Sequence, residues 1–328
     1  MLKLLLSLFV ICLYTSKCTA CELFSFDESA PKSFKVYVAN LTNDNVTEII
    51  DGQVTRTIVV GKRPCAFTSY QNKIYVANRG SKTVSEIVDG QVTRTIEVGD
   101  NPFALITCNN KIYVANRGSK TVSEIDDGVV TRTIEVGDSP FDLISCQNKV
   151  YVANHDSRLV SEIDDGVVTR KIEIGDNPFG LISYDNKIYV LHEGHTISEI
   201  VGGQVTNTIS VGDTPSALAS CNNKIYVAHS GSTVSEIVDG EVTRTIKVGD
   251  NAWTLKSYVN KIYVSNRASQ TVSEIVDGQV TNTMKVGQNP FHLYIFKHFF
   301  KSLAFMKDKM SQQAINPTIS DLIIFTYK

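Results

Sequence analysis

Lys73-Ile-Tyr-Val-Ala-Asn78 and Thr83-Val-Ser-Glu-Ile-Val88 are short runs of β-branched and aromatic residues that decide the fold of this chain. Arg79-Gly-Ser-Lys82 separates the two runs and contains the glycine typical of a turn. Asp89-Gly90 follows the second run, and this dipeptide is a strong hairpin signal because both residues tolerate a positive φ. The pattern predicts a pair of strands with a tight turn after it.

Two further strands follow in the same unit. Gln91-Val-Thr-Arg-Thr-Ile-Glu-Val98 alternates polar and apolar residues, which is typical of a strand with one buried face. Gly99-Asp-Asn-Pro102 is a turn cluster, and Phe103-Ala-Leu-Ile-Thr107 is a short apolar strand beyond it. The stretch therefore predicts four antiparallel strands.

The tyrosine of this pattern recurs at Tyr37, Tyr75, Tyr113, Tyr151, Tyr189, Tyr226 and Tyr263. Successive intervals are 38 residues four times and then 37 residues twice. A fixed period of this size indicates a repeat architecture, in which each unit buries its apolar faces against its neighbours. Four antiparallel strands per period are typical of a β-propeller blade.

The number of strands of each type predicts how the ring closes. Strands of the Phe103 type begin near Cys65, Phe103, Phe141, Phe179, Ser216, Trp253 and Phe291. The array begins with a Tyr-Val strand and ends with a strand of the Phe103 type, so we expect Phe291–Phe296 to complete the blade begun by Lys35–Val60. The prediction is an all-β fold, a seven-bladed β-propeller over residues 35–296, closed by pairing of the N- and C-terminal strands.

These residues resemble the YVTN family of β-propeller repeats, a WD40-like repeat seen in bacterial and archaeal surface and periplasmic proteins. The matching elements are Tyr75-Val-Ala-Asn78, Thr83-Val-Ser, Thr95-Ile-Glu-Val-Gly99 and Asn101-Pro-Phe103, and they recur through residues 35–295. The resemblance implies that Phe103–Thr107 is innermost. The Tyr-Val strand, Thr83–Val88 and Gln91–Val98 would follow outward.

Composition excludes little but disfavours one class of partner. The chain has 328 residues, 42% hydrophobic and 20% charged, with a formal net charge of −2. The sequence has no basic block to neutralise phosphates, so we expect no nucleic-acid partner. It has no P-loop, G-x-G-x-x-G, G-x-S-x-G or H-E-x-x-H motif. We expect a monomer without a cofactor.

The N-terminus differs in kind from the repeats. Met1-Leu-Lys3 is a short positive start, Leu4–Tyr14 is apolar, and Cys18-Thr-Ala20 places small residues before a cleavage point. Residues 1–20 therefore have the layout of a secretory signal peptide, which predicts a secreted, periplasmic or cell-surface protein. Residues 21–34 would form a lead and residues 297–328 a poorly ordered or short helical extension. A lipid on the Cys21 thiol, attaching the chain to a membrane, is the alternative to a soluble product.

Cysteines occupy one repeat position in several units. Cys108, Cys146 and Cys221 stand where other units have Tyr70, Tyr184 and Tyr258. An alternation of cysteine with tyrosine favours apolar packing over a bridge, and no Cys/His spacing suits structural zinc. Disulfides between neighbouring units stay open.

One glutamate occurs at the same place in all seven units: Glu48, Glu86, Glu124, Glu162, Glu199, Glu236 and Glu274. Eight residues after each stand, in order, Arg56, Arg94, Arg132, Arg170, Asn207, Arg244 and Asn282. Because both strands are the outer two of a blade, we expect structural pairing far from the axis. A bulged hairpin register would put each pair on one face and a plain two-residue register on opposite faces; both stay open.

The face with the Arg79–Lys82 and Gly99–Pro102 turns is where propellers usually bind ligands. We expect it to display asparagines and arginines, namely Asn78, Asn116, Asn154, Asn266, Arg79, Arg117 and Arg267. Short asparagine side chains in turns also hydrogen-bond their own backbone, so a scaffold role is the alternative.

Departures from sevenfold repetition are a further clue, because a specific site on a symmetric ring must break the symmetry. They cluster in blades four to six, where His155 replaces an arginine, His192 and His229 replace asparagines, and His195 follows a shortened turn. Histidines suit a metal or acid–base catalysis. Since turns lie a blade's width apart, we instead expect drift in exposed turns and no metal site. Trp253, in place of the common phenylalanine, is expected to pack in the core.

The prediction for function is an extracytoplasmic scaffold that binds a protein or cell-surface ligand through the loop face. The alternative comes from the resemblance. Some relatives of the repeat family resemble lactonase-like hydrolases or oxidoreductase-associated propellers with a site in the central funnel, and fold alone does not decide. Convergent His, Glu or Arg side chains in the funnel would favour the enzyme.

Overall fold

The computed structural model describes residues 34–41, 43–50, 53–258, 260–285 and 295–297. Twenty-eight strands form seven four-stranded antiparallel sheets arranged in a ring, which confirms the seven-bladed β-propeller. The described residues contain no helix long and apolar enough to cross a membrane.

Blades two to seven each use four consecutive strands from the axis outward, whereas blade one combines the first three strands with the last. Blade one holds β1 (Phe34–Asn40), β2 (Asn45–Ile50), β3 (Gln53–Val59) and β28 (Ile295–Lys297). Blades two to four hold β4 (Pro64–Tyr70), β5 (Lys73–Asn78), β6 (Thr83–Val88), β7 (Gln91–Glu97), β8 (Pro102–Cys108), β9 (Lys111–Asn116), β10 (Thr121–Asp126), β11 (Val129–Glu135), β12 (Pro140–Cys146), β13 (Lys149–Asn154), β14 (Leu159–Asp164) and β15 (Val167–Glu173). Blades five to seven hold β16 (Pro178–Tyr184), β17 (Lys187–His192), β18 (Thr196–Val201), β19 (Gln204–Ser210), β20 (Pro215–Cys221), β21 (Lys224–His229), β22 (Thr233–Val238), β23 (Glu241–Lys247), β24 (Ala252–Tyr258), β25 (Lys261–Asn266), β26 (Thr271–Val276) and β27 (Gln279–Lys285).

The first blade joins the two ends of the chain. Its sheet has the order β28-β1-β2-β3, so a C-terminal strand pairs with the N-terminal strand as predicted. The described closing strand is Ile295–Lys297, and the start of the predicted Phe291–Phe296 strand lies outside the described residues. So do the predicted signal peptide, Cys21 and the extension after Lys297.

Two-residue turns join the strands at one end of the ring. Asp89 and Gly90 have φ of 49° and 79°, and Gln71 and Asn72 have φ of 47° and 61°. Two consecutive positive φ values are the mark of a type I′ turn, which matches the twist of the strands it joins. This local geometry explains why the Asp-Gly and Asn-Asn pairs recur at these turns.

A β-bulge decides the register of the outer hairpin, which the sequence left open. Val88 pairs with Gln91 across the two-residue turn, but Glu86 pairs with Arg94, so the register shifts between Glu86 and Ile87. Thr93 is the extra residue of the bulge. The same shift occurs in all seven blades, so the glutamate and the residue eight positions later stand opposite each other.

The core consists of layers between neighbouring blades rather than one central cluster. Tyr75 and Val84 of blade two pack with Leu105 and Val114 of blade three in one such layer. Equivalent layers join the blades that follow. Cys108 is buried and Cys146 and Cys221 are half-buried in these layers, and none of the described cysteines forms a disulfide. Each blade is therefore stabilised by its neighbours.

Candidate functional site

The loop face is built by hydrogen bonds between two sets of turns. The main-chain N–H of Arg79, after the second strand of its blade, donates to the carbonyl of Arg63 in the connection entering that blade, at 3.0 Å. The N–H of Arg117 donates to Asn101 and that of His155 to Ser139, each at 3.0 Å. These turns therefore hold the residue after the repeated asparagine in an equivalent position in each blade.

The asparagines expected on this face are not displayed there. Asn78, Asn116, Asn154 and Asn266 have 0% exposed surface. The amide of Asn78 donates to Thr83 Oγ1 at 3.1 Å and to Ser85 Oγ at 2.9 Å, both in the next strand of the same blade. The prediction of exposed asparagines was wrong, because these amides satisfy the hydroxyls of the strand beside them and are sealed by the connection above.

Two of the histidines occupy the same interior position. His192 and His229 are 1% and 6% exposed, and their Nε2 atoms lie 2.8 Å from the hydroxyls of Ser198 and Ser235. They are therefore not drifted residues of exposed turns, as the sequence suggested. Burial lowers the pKa of His192, an effect that the nearby Asp176 partly opposes.

The connection that covers this position changes with the residue beneath it. Above the asparagines, a Cβ on Gly61, Gly99, Gly137 or Gly249 would lie within 2.8 Å of the asparagine side chain. Above His192 and His229, Gly175 and Gly212 have φ of 84° and 88°; a Cβ on Gly175 would meet nothing within 4 Å, and one on Gly212 would lie 3.8 Å from Cε1 of His229. Glycine therefore lets the connection pass close to the asparagine side chain, and over histidine it lets the backbone adopt a positive φ.

His155 and His195 do lie in the turns, but the four histidines do not meet. His195 Nδ1 is 3.2 Å from Asp213 Oδ1, whereas His155 contacts Asp156 and Glu193. Over the described part of the chain, no three His, Cys, Asp or Glu side chains come together in a way that could hold one metal ion.

Stacked guanidinium and phenyl groups form the most distinctive part of the face. The rings of Phe103 and Phe141, on the innermost strands of blades three and four, have centroids 4.5 Å apart. Cζ of Arg117 lies 5.7 Å from the Phe103 centroid and 5.0 Å from the Phe141 centroid, and Cζ of Arg79 lies 5.5 Å from the Phe103 centroid. We call these four residues the arginine–phenylalanine cluster. Cation–π contacts hold both arginine heads beside the inner strands.

His155, which contacts two carboxylates, lies beside the cluster in blade four. His155 packs beside Phe141 with ring centroids 5.9 Å apart, and its two nitrogens lie 2.6 Å from Asp156 Oδ1 and 3.0 Å from Glu193 Oε1. Burial opposes its protonation, but the two carboxylates outweigh burial and raise the pKa of His155. The imidazole is therefore a cation over more of the neutral range than a free histidine.

Trp253 is the counterpart of Phe103 in blade seven. Cζ of Arg267 lies 4.6 Å from its ring centroid, so the only tryptophan of the sequence also carries a stacked arginine. Trp253 is half-buried rather than enclosed in the core. The expectation of plain core packing therefore missed its place on the loop face.

Two charged residues of the innermost strands were missed by the sequence analysis. Asp142 stands where other blades have Ala66, Ala104, Gly180, Ala217 and Thr254, and Lys256 stands where others have Thr68, Ile106, Ile144, Ile182 and Ala219. Aligning the inner strands by repeat would have exposed both, because a charge at a small or apolar repeat position breaks the sevenfold pattern.

The glutamate ring is structural in its contacts. Glu86 is 2% exposed and accepts hydrogen bonds from Tyr75 Oη at 2.9 Å, Thr93 Oγ1 at 2.7 Å and Lys73 Nζ at 3.0 Å. Burial opposes its ionisation, but these three donors outweigh burial and lower the pKa of Glu86. The lysine of the Tyr-Val strand, which the sequence analysis did not consider, is thus a main partner. Direct arginine contacts occur at Glu48 (3.0 Å from Arg56) and Glu124 (3.9 Å from Arg132).

Comparison with known proteins supports the fold and leaves the family open. No family model matches this chain, and no curated protein matches its sequence. A proposed 6-phosphogluconolactonase from Bacteroides fragilis superposes with a TM-score of 0.67 at 14% identity, over 82% of this chain and 99% of that one. A catalytically inactive variant of virginiamycin B lyase from Staphylococcus aureus, solved with quinupristin, gives a TM-score of 0.63 at 14% identity, over 77% of this chain and 89% of that one.

A third solved structure has a different activity in its name. Hydrazine synthase from Kuenenia stuttgartiensis superposes with a TM-score of 0.61 at 16% identity, over 72% of this chain and 95% of that one. At such low sequence identities, the similarity supports a shared fold and says nothing about a shared reaction. The chain is a seven-bladed β-propeller with structural neighbours in the propeller class.

Proposed function

We propose that this protein is an extracytoplasmic binding scaffold that captures an acidic protein or surface ligand on its loop face. The observation that carries the proposal is the arginine–phenylalanine cluster. Its two guanidinium groups are half-buried on the rings of Phe103 and Phe141, where they are held in place before any ligand arrives.

The cluster has donors to spare. Nε of Arg117 donates a hydrogen bond to the hydroxyl of Ser139 at 2.9 Å, and the two terminal nitrogens of the guanidinium take no part in that bond. Neither Arg79 nor Arg117 forms an ion pair with a carboxylate among the residues that the structure describes. A planar guanidinium with free N–H groups recognises carboxylate, sulfate or phosphate in a bidentate manner. An acidic ligand therefore fits the cluster best.

The stacking lowers the cost of binding. An arginine side chain free in solvent loses rotamer entropy when it grips a ligand, by about 0.5–1.5 kcal/mol per side chain. Because the phenyl rings already restrict Arg79 and Arg117, part of that loss is incurred on folding. His155, beside Phe141, is already paired with Asp156 and Glu193, so the two arginines supply the charge that is available to a ligand.

The extracytoplasmic part of the proposal rests on residues 1–20, with their positive start, apolar run and small residues before Cys21. The YVTN resemblance points the same way, since that family occurs in surface and periplasmic proteins.

The test compares two double variants that remove equal charge from the same face. Arg79→Gln with Arg117→Gln disrupts the cluster, whereas Lys82→Gln with Lys120→Gln removes exposed lysines already paired with Asp100 and Asp138 at 2.6 and 3.0 Å. Binding to an immobilised polyglutamate peptide and to a sulfated glycan is measured by interferometry at two salt concentrations. We expect the arginine variant to lose roughly tenfold or more in affinity and the lysine variant to lose little. Equal losses would contradict the proposal.

The lactonase-like or oxidoreductase-associated alternative stays a prediction. Turnover of a phosphorylated sugar lactone by the wild type, abolished by Asp142→Asn in the channel but not by the arginine variant, would favour it over a scaffold.

A further inference from the structure

Over the inner strands of blades two to seven, the central channel carries one acid and one base in an otherwise uncharged lining. The innermost strands β4, β8, β12, β16, β20 and β24 line it, and among their residues only Asp142 and Lys256 are charged. Blades four and seven are three blades apart, which is the largest separation that a ring of seven allows. Their charges therefore face each other across the axis.

Asp142 is held rigidly. Its Oδ1 accepts the main-chain N–H of Leu143 at 2.9 Å, and its Oδ2 accepts that of Leu181, on the inner strand of blade five, at 2.9 Å. The carboxylate thus bridges two inner strands at the edge of the channel. Each carboxylate oxygen has a further lone pair, so Asp142 keeps acceptor capacity toward the channel.

Lys256 has no such tether. Its side chain is exposed to solvent, and the strand that carries it is the innermost of blade seven, which lines the channel. Within the described part of the chain, no carboxylate lies within ion-pair distance of its ammonium, Asp142 included. The two groups still act on each other: burial raises the pKa of Asp142 and lowers that of Lys256, and each charge partly offsets the effect on the other.

We propose that the channel binds a small zwitterion of the α-amino acid type with an aliphatic side chain, its carboxylate on Lys256 and its ammonium on Asp142. A lone anion would be repelled by Asp142 and a lone cation by Lys256, whereas a molecule with both charges satisfies both. Two opposite charges that do not pair directly with each other can both be paired by one ligand that bridges them.

The inner strands on and beside that of Asp142 fit the aliphatic part. Ile106, Ile144 and Ile182 occupy the position of Lys256 in blades three to five and are half-buried, so part of each faces solvent. Apolar walls with a few placed polar groups are typical of small-molecule sites.

The test is calorimetry of the full chain with L-leucine as the probe. 4-Methylpentanoate, which lacks the ammonium, and isopentylamine, which lacks the carboxylate, are the matched control ligands. We expect leucine to bind and both controls to bind roughly tenfold or more weakly. Lys256→Met should weaken leucine binding by a similar factor but leave the affinity for isopentylamine unchanged or higher. Asp142→Asn should also weaken leucine binding but leave the affinity for 4-methylpentanoate unchanged or higher.

Lys256→Met is the decisive variant. Apolar residues occupy the same position in other blades, so we expect this variant to fold, and its melting temperature checks that. No heat with millimolar leucine, or equal affinity in wild type and Lys256→Met, would overturn the proposal and leave the channel to water. The Arg79→Gln, Arg117→Gln variant should keep leucine binding, so failure here is distinguishable from failure of the loop-face proposal.

Discussion

Nη1 of Arg244, on the outermost strand of blade six, donates a 2.9 Å hydrogen bond to the main-chain carbonyl of Asp277 in the hairpin turn of blade seven. Arg56 reaches Asp89 in the same way at 2.6 Å, and Arg94, Arg132 and Arg170 reach Asp127, Asp165 and Gly202. These arginines therefore join neighbouring blades at the rim of the ring. A Cβ on Gly278 would collide with the Arg244 head, so the turn glycine serves this contact as well as the positive φ.

Asn207→Arg should strengthen the rim between blades five and six. The side chain of Asn207 is shorter than that of arginine, and its Oδ1 accepts the N–H of Thr208 at 2.9 Å. Gly240 in the next turn has φ of 83° and leaves room for an arginine head. We expect a gain of about 1 kcal/mol in the free energy of unfolding, measured by urea denaturation. Arg244→Asn is the matched control and should lose a similar amount; unchanged midpoints in both would refute the rim contact.

The glutamate ring should make the fold sensitive to acid. The folded-state pKa is lowered for Glu86, Glu124, Glu162, Glu199, Glu236 and Glu274. Between these values and the unfolded value near 4.5, the unfolded chain binds more protons, so stability is full above pH 4.5 and falls as the pH drops through the folded pKa values. Melting temperatures followed by circular dichroism should fall steeply below pH 4.5.

Glu124→Gln isolates one member of that ring. At pH 7 it should cost roughly 1–3 kcal/mol, because Lys111 and Tyr113 lose a charged acceptor at 2.9 and 3.0 Å. The difference from wild type should shrink as the pH approaches 3. A difference that is constant with pH would exclude an ionised Glu124 as its cause.

His192→Asn should remove a pH dependence from blade five. Because burial lowers the folded pKa of His192 below 6.5, the unfolded chain takes up a proton first as the pH falls below that value. The wild type should therefore lose stability relative to the variant between about pH 7.5 and 5.5, as melting temperatures would record. His195→Asn, in an exposed turn, is the control. An equal gap between variant and wild type at both pH values would argue against a neutral buried imidazole.

Truncation should test ring closure. A chain ending at Asn289 lacks β28, which pairs with β1, whereas a chain ending at Lys297 retains it. We expect the first to lose cooperative melting, because an open ring leaves an apolar inter-blade face uncovered, and the second to keep it. Identical calorimetric transitions for the two chains would contradict closure by this strand.

Export is a separate prediction. Intact-mass analysis of protein from its native envelope should give a chain that begins at Cys21, after the small residues at Cys18 and Ala20. A mass that includes Met1 would refute cleavage, and an excess equal to acyl chains would show a lipid on Cys21.

The sequence by itself determined the blade count and predicted the closure of the ring, whereas the order of the strands from the axis outward was implied by the resemblance to the YVTN repeat. The blade count and the closure follow from a period of 37 or 38 residues and from turn residues such as Asp89-Gly90, whose positive φ is a local property of the chain. Periodicity reports local conformation well, because each turn and each strand is specified by residues a few positions apart.

Only the tertiary structure decided what the repeated polar residues do. The sequence predicts Asn78 to be an exposed turn residue. In the structure it is buried beneath the connection that contains Gly61, 17 residues away in sequence. Arg117 reads as a solvated charge, yet it stacks on Phe141 of the next blade. Asp142 and Lys256 stand on the inner strands of opposite blades, and only the ring brings those strands to one axis. Burial and pairing of this kind depend on neighbours that are brought together by the ring, and a local pattern contains no information about them.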